Sequence, residues 1–243
     1  MSLDTDIAEN LNAVRTRIRA AARRAGREPD EITLIAVSKT FGADHVRAAF
    51  AAGQQEFGEN KVQEGLQKIA ETADIPVRWH LIGHLQSNKT RKAARPFGCI
   101  HSVDSLDLLR RLDEAAVESG ATPAILVQVD LAGETTKYGA PAGVARQVVD
   151  AALACRAARL GGLMIVPPWN EDQELTRPWF VRLRKLRDEW IADGVPRDAL
   201  RHLSMGMSHD FEAAIEEGAT MIRVGTAIFG KRTPPGRPET AEG

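Results

Sequence analysis

The run Ile32-Thr33-Leu34-Ile35-Ala36-Val37-Ser38-Lys39-Thr40 is apolar through its middle and turns polar only at its end. A strand that reads this way, without alternation, is buried on both faces, as in a parallel sheet covered by helices. Ala124-Ile125-Leu126-Val127 has the same character. Outward from these two, eight runs alternate with helix-patterned stretches: Ile32–Ser38, Gln55–Gly58, Trp79–Gly83, Cys99–Val103, Ile125–Asp130, Leu160–Val166, His202–Met205 and Met221–Gly225. The helical stretches fall near 43–52, 60–71, 87–95, 105–119, 141–158, 173–192 and 209–217. Strand then helix, repeated, implies parallel strands joined by right-handed crossovers. Eight such units in 243 residues predict an α/β fold, a closed single-domain (β/α)8 TIM barrel. An open doubly wound sheet would carry a glycine-rich turn after its first strand. Ser38-Lys39-Thr40-Phe41-Gly42 is not such a turn.

Ahead of the barrel, Ile7, Leu11, Val14, Ile18 and Ala21 recur every three or four positions, which places them on one face of an extra N-terminal helix. Acidic residues near its start and arginines near its end complement the helix dipole. Arg15, Arg17, Arg19, Arg23 and Arg24 read as a solvated face rather than a nucleic-acid stripe. The whole chain, with 32 basic and 33 acidic residues and a net charge of −1, lacks the uncompensated cations that phosphate-backbone binding needs. The expected division is a helix at 1–28 packed on the barrel, the barrel at 29–231, and a disordered Pro- and Gly-rich tail at 232–243. Cys99 and Cys155 are too few for a disulfide framework or a four-thiolate zinc site. No stretch approaches the roughly 20 apolar residues of a membrane span, and Met1-Ser2-Leu3-Asp4-Thr5-Asp6 is acidic where a secretion signal would be basic. The expectation is a soluble cytoplasmic protein.

In this fold the active face lies at the C-terminal ends of the strands, and polar and glycine residues of the chain gather there. Lys39 follows an apolar run. Desolvation at the rim would lower its pKa and favour the neutral amine that carbonyl condensation needs; the alternative is a lysine reaching out to solvent. Ser204-Met205-Gly206-Met207-Ser208, after the seventh run, and Gly225-Thr226, after the eighth, combine glycines, hydroxyls and helix starts. That is the recurrent phosphate position of such barrels. A lysine facing a phosphate pocket suggests a phosphorylated carbonyl ligand, either a sugar phosphate or pyridoxal 5'-phosphate (PLP). Arg223 lies two residues before Gly225 and so on the same side of its strand. There it would meet a pyridine nitrogen, or else pair with a carboxylate inside the barrel.

The motifs around these residues resemble a known family. They are Ile35-Ala36-Val37-Ser38-Lys39-Thr40, Phe57-Gly58-Glu59-Asn60, Trp79-His80-Leu81-Ile82-Gly83-His84-Leu85-Gln86-Ser87-Asn88-Lys89, Leu203-Ser204-Met205-Gly206-Met207-Ser208 and Arg223-Val224-Gly225-Thr226-Ala227-Ile228-Phe229-Gly230. In order, from about Glu31 to Arg232, the chain resembles the pyridoxal phosphate homeostasis proteins, which are similar in fold to the N-terminal barrel of alanine racemase. The resemblance implies PLP held covalently by Lys39 as an internal aldimine. It implies phosphate binding by Ser204, Gly225 and Thr226 with Gly206 supporting the loop, Arg223 facing the pyridine nitrogen, and Asn60 lining the pocket. Lys137 matches a turn lysine of the family, or is simply exposed. Asp130-Leu131-Ala132-Gly133-Glu134 and Pro167-Pro168 depart from the family's usual loops.

A homeostasis role, in storage, buffering and delivery of PLP with apo-enzymes as transient recipients, is expected over catalysis. Racemisation needs acid–base groups on both faces of the cofactor. The family's racemases draw the second, a tyrosine, from a further domain, and no such domain is expected after Gly230. The single tyrosine, Tyr138, falls in a turn. An arginine at the pyridine nitrogen also stays protonated and makes the ring a poor electron sink. The alternatives are a slow PLP-dependent racemase or lyase, and a lysine-dependent aldolase. No catalytic residue and no metal site are expected: His80 and His84, four apart, fall on a strand rather than a helix. A monomer is the expected state.

Overall fold

In the computed structural model, residues 3–133 and 138–230 are described. Among the described residues nine parallel strands form: β1 (Thr33–Val37), β2 (Glu56–Glu59), β3 (Arg78–Leu81), β4 (Cys99–Val103), β5 (Ala124–Asp130), β6 (Ala140–Pro141), β7 (Arg159–Met164), β8 (His202–Met207) and β9 (Met221–Val224). Eight of them close a ring in the order β1-β2-β3-β4-β5-β7-β8-β9, with β9 returning to β1 and β4 paired to β5. The two-residue β6 pairs only with the end of β5. The eight expected runs are the eight ring strands, so the fold is the (β/α)8 barrel. The last two of them are β8 and β9.

In β1, β4, β5, β7 and β9, side chains are shared between two apolar clusters. In β1, Ala36 joins the large cluster between strands and helices, while Ile35 joins a small one with Cys99, Leu126, Met164 and Met221. Close strand contact needs a missing side chain at Gly162 of β7. Its φ is 157°, and a Cβ there would sit 2.0 Å from the His202 carbonyl oxygen of β8.

Around the ring lie α2 (Ala43–Ala51), α3 (Val62–Glu71), α4 (Thr90–Ala93), α5 (Leu106–Ser119), α6 (Ala142–Ala152), α7 (Arg177–Ala192), α8 (Phe211–Glu216) and α9 (Thr226–Phe229). The helix expected over 141–158 stops at Ala152. The Asp113 carboxylate of α5 accepts the amides of Arg156, Ala157 and Ala158, which draws that segment out of the helix toward β7. The stretch expected at 173–192 begins with a separate 3-10 turn at Gln173–Leu175, held by the Asp172 side chain, before α7 starts.

The N-terminal helix, α1 (Leu3–Arg24), buries Ile7, Leu11, Val14, Ile18 and Ala21 as its periodicity predicts, and Ala22 with them. Its arginines pair with the barrel: Arg17 with Glu212 at 2.7 Å and Arg24 with Glu216 at 2.7 Å. Arg15 donates to the Ala52 carbonyl. The stripe is partly a docking surface rather than a purely solvated one. Lys137 and the tail at 232–243 lie outside the described residues.

Candidate functional site

Beyond β1 the backbone bends sharply, and Thr40 takes a left-handed φ of 71°, rare for a residue with a side chain. Three charged side chains stabilise the bend. The Thr40 amide donates to Glu64 Oε1 at 2.5 Å. Lys68 Nζ reaches Ser38 O and Glu59 Oε1, both at 2.7 Å, and Glu64 Oε1 at 2.9 Å. The Ser38 hydroxyl donates to Glu59 Oε1 at 2.6 Å. Glu59 is fully buried, its Oε2 has no partner, and burial raises its pKa against the opposing pull of Lys68 and Ser38. Lys39, half-buried, sits in the middle of this clamp.

Across the mouth, β8 runs into a tight loop. Gly206 has φ 93°, and a Cβ there would lie 2.6 Å from the Ala214 Cβ, so only glycine lets α8 approach. Asp210 Oδ1 accepts the Met207 amide at 2.6 Å and fixes the turn. The Ser208 hydroxyl accepts the Gly225 amide at 3.2 Å, tying the β8 loop to the end of β9. In α9 the helical bonds begin with Ile228 and Phe229 donating to the Gly225 carbonyl, so the Thr226 and Ala227 amides precede the first of them.

Arg223 on β9 is buried, its Nη2 donating to the Ile165 carbonyl at 2.9 Å and its Nη1 to Ser204 Oγ at 2.5 Å. Burial pushes its pKa down to about 10, with Asp210 opposing, which leaves it a cation at neutral pH. Between these elements lies a cavity of about 360 Å³, within the usual range for small-ligand pockets. Lys39 and Asn60 line it with Arg223, Ser208, Gly225 and Thr226; its apolar walls include Ile82, Met207 and Trp169, the last on the 167–172 insertion.

Five of the seven expected residues therefore meet in one pocket: Lys39, Asn60, Arg223, Gly225 and Thr226. Ser204 and Gly206 do not line it. Ser204 is the third residue of β8, inside the barrel, where its hydroxyl meets His101 and Arg223; Gly206 supports the loop. Ser208, past the strand end, presents the hydroxyl at the rim, and depth along the strand separates the two serines. Sequence reasoning also missed Lys68, whose one signal is its place with Val62 and Gly65 on the buried face of α3. Tyr138 is 59% exposed and stacks on His84 at 3.8 Å; neither lines the cavity. His80, Cys99 and His101 come within 4.8 Å of one another, but His80 Nδ1 and His101 Nε2 lie 2.9 Å apart, a direct hydrogen bond.

The family model for the N-terminal domain of alanine racemase matches residues 10–233. The pyridoxal phosphate homeostasis protein of Pseudomonas aeruginosa is 45% identical over 227 residues, covering 93% of this chain and 96% of that one. The chain belongs to the pyridoxal phosphate homeostasis protein family. A solved member, PipY of Synechococcus elongatus PCC7942 with PLP bound, is 40% identical with a TM-score of 0.81 and covers 92% of this chain and 100% of its own. Alanine racemase of Clostridium difficile 630 shares the fold at 17% identity, with a TM-score of 0.72, over 95% of this chain and 58% of its own. The family expected from the motifs is the family found. Among the described residues no helix is long and apolar enough to cross a membrane.

Proposed function

We propose that this protein binds PLP in the rim pocket and serves its homeostasis, holding and releasing the cofactor rather than using it in turnover. The observation that carries the reading is the convergence of Lys39, Arg223 and the Ser208–Gly225–Thr226 end in a single cavity. The donor set fits the group. Gly225 brings bare backbone to the pocket, since a Cβ there would lie 3.1 Å from the Val37 carbonyl oxygen, and with Ser208 and the start of α9 it suits a phosphate. Apolar walls suit an aromatic ring, and Asn60 adds a polar contact. Bound PLP supplies an aldehyde and an electron-withdrawing ring. Lys39, the lysine that lines the cavity, would supply the amine for that aldehyde, with water as the leaving group of the condensation. Arg223, held as a cation, would donate a hydrogen bond to the pyridine nitrogen of bound PLP without giving up a proton, which would keep the ring a weak electron sink.

Support for a carrier includes the position of Tyr138, the chain's single tyrosine, outside the pocket. Delivery to apo-enzymes, a monomeric state and a cytoplasmic setting belong to the same proposal; two free thiols, Cys99 and Cys155, accord with a reducing compartment. The test is an absorbance spectrum of the purified protein with added PLP. A visible band, lost in Lys39→Ala and mapped to Lys39 after borohydride reduction, is the expected result. A protein that stays colourless in excess PLP, or a modified peptide elsewhere, overturns the assignment. Racemisation of an amino acid far faster than by free PLP overturns the carrier reading.

A further inference from the structure

A file of polar side chains crosses the barrel interior from Arg223. Its Nη1 donates to Ser204 Oγ at 2.5 Å, which lies 2.9 Å from His101 Nδ1. His101 Nε2 lies 2.9 Å from His80 Nδ1, and His80 Nε2 lies 2.9 Å from Glu56 Oε2. Ser204 and His101 are wholly buried, His80 and Arg223 nearly so. Glu56 is half-buried and its other oxygen meets Arg78. Among the described residues no carboxylate pairs directly with Arg223; Asp210 acts on it only through space.

Proton counting gives the file a direction. A guanidinium has only donors, and a serine hydroxyl has one proton. Ser204 Oγ accepts from Arg223, so its own proton goes to His101 Nδ1. His101 then carries its proton on Nε2 and donates to His80 Nδ1, and His80 carries its proton on Nε2 and donates to the Glu56 carboxylate. The reverse direction, with a proton on His80 Nδ1, would make His101 donate to Ser204 and leave the serine proton facing a cation with no acceptor, a costly state for a buried group. The surroundings agree. Burial and the nearby His80, Arg223 and His202 hold the His101 pKa well below its usual value. The Cys99 thiol beside the histidines is pushed up to about 12 by burial and stays neutral.

We propose that Ser204, His101 and His80 are positioning residues for Arg223, a one-way relay that anchors its guanidinium and ends on the Glu56 carboxylate. With Nη1 held by Ser204 and Nη2 by Ile165, Arg223 presents one fixed face to the pocket. The role toward the ligand rests on the PLP reading above; the relay itself does not.

Nitrogen-15 histidine spectra of the ligand-free protein test the relay alone. His101 is expected as the neutral Nε2–H tautomer from about pH 5 to about pH 8, where an ordinary histidine titrates. An Nδ1–H tautomer or an imidazolium at His101 in that window overturns the proposal. PLP titrations test the consequence. Ser204→Ala is expected to weaken binding about tenfold, the loss of a hydrogen bond to a charged group, with Ser204→Thr recovering most of it. In an Arg223→Leu background Ser204→Ala is expected to add less than about a twofold change. A further tenfold loss there would show Ser204 acting independently of Arg223 and would overturn its positioning role. If the tautomers are as stated and the wild type binds no PLP, the PLP reading fails while the relay stands.

Discussion

Lys68 Nζ donates to the carbonyl oxygen of Ser38 at 2.7 Å, so a buried lysine on α3 grips the backbone immediately before Lys39. The same ammonium neutralises Glu59, whose carboxylate is buried. Removing one partner of such a pair strands the other charge, at about 3 kcal/mol. Lys68→Met is expected to lower stability by that order in urea unfolding, and Lys68→Met/Glu59→Gln to recover part of the loss. An additive double variant would mean that the two do not act as a pair.

The two serines of Ser204-Met205-Gly206-Met207-Ser208 have separate fates, and a phosphate-bearing ligand should tell them apart. Ser208→Ala is expected to reduce PLP affinity about fivefold, a net hydrogen bond of about 1 kcal/mol, with stability lowered by no more than about 1 kcal/mol as the Gly225 amide loses its acceptor. Competition by inorganic phosphate should weaken in the same variant. Isothermal titration with both ligands reads this directly.

His101 makes stability pH-dependent with a definite sign. Its folded pKa lies below the ordinary value, so near pH 6 the unfolded chain binds a proton that the folded protein refuses. Stability from this residue is complete above about pH 6.5 and falls as the pH drops below it, by up to about 1.4 kcal/mol per pH unit. Unfolding curves at several pH values should show a steeper acid loss for the wild type than for His101→Gln. Parallel slopes would place a proton on folded His101.

Barrel closure between β7 and β8 depends on Gly162. A methyl group there meets the His202 carbonyl oxygen at 2.0 Å in a strained backbone, so Gly162→Ala is expected to cost about 2 kcal/mol or more. Gly143, exposed and with nothing near its Cβ direction, should gain slightly from the same change, because it lies inside α6. Thermal denaturation of the pair is the comparison.

On the N-terminal helix the apolar face and the arginines should separate by magnitude. Leu11→Ala opens a cavity at a fully buried position and is expected to cost about 3 kcal/mol. Arg24→Met breaks a largely exposed pair with Glu216 and should cost less than about 1 kcal/mol, screened by salt. Denaturant titrations at low and high salt distinguish the two.

Much of the molecule was legible before any coordinates. Eight short runs, several of them apolar throughout, placed the ring strands to within a few residues, because burial on both faces leaves its mark locally. That Lys39, Arg223, Gly225 and Thr226 line one cavity was readable because a strand end is where such a barrel opens its pocket. Ser204 was misplaced by depth: a motif of five residues spans both the interior and the rim, and a string of letters carries no height along the barrel axis. Lys68 has no comparable local mark, since its partners Ser38 and Glu59 come from just past β1 and from the end of β2.

Local order along the chain thus sufficed for the strands, the helices, the family and the lysine that lines the rim cavity, since each depends on residues a few positions apart. The clamp behind Lys39 and the file from Arg223 to Glu56 exist only after closure. Their members are drawn from different strands and helices, His101 and Ser204 being 103 residues apart, and a hydrogen bond forms only where distance and direction are both satisfied.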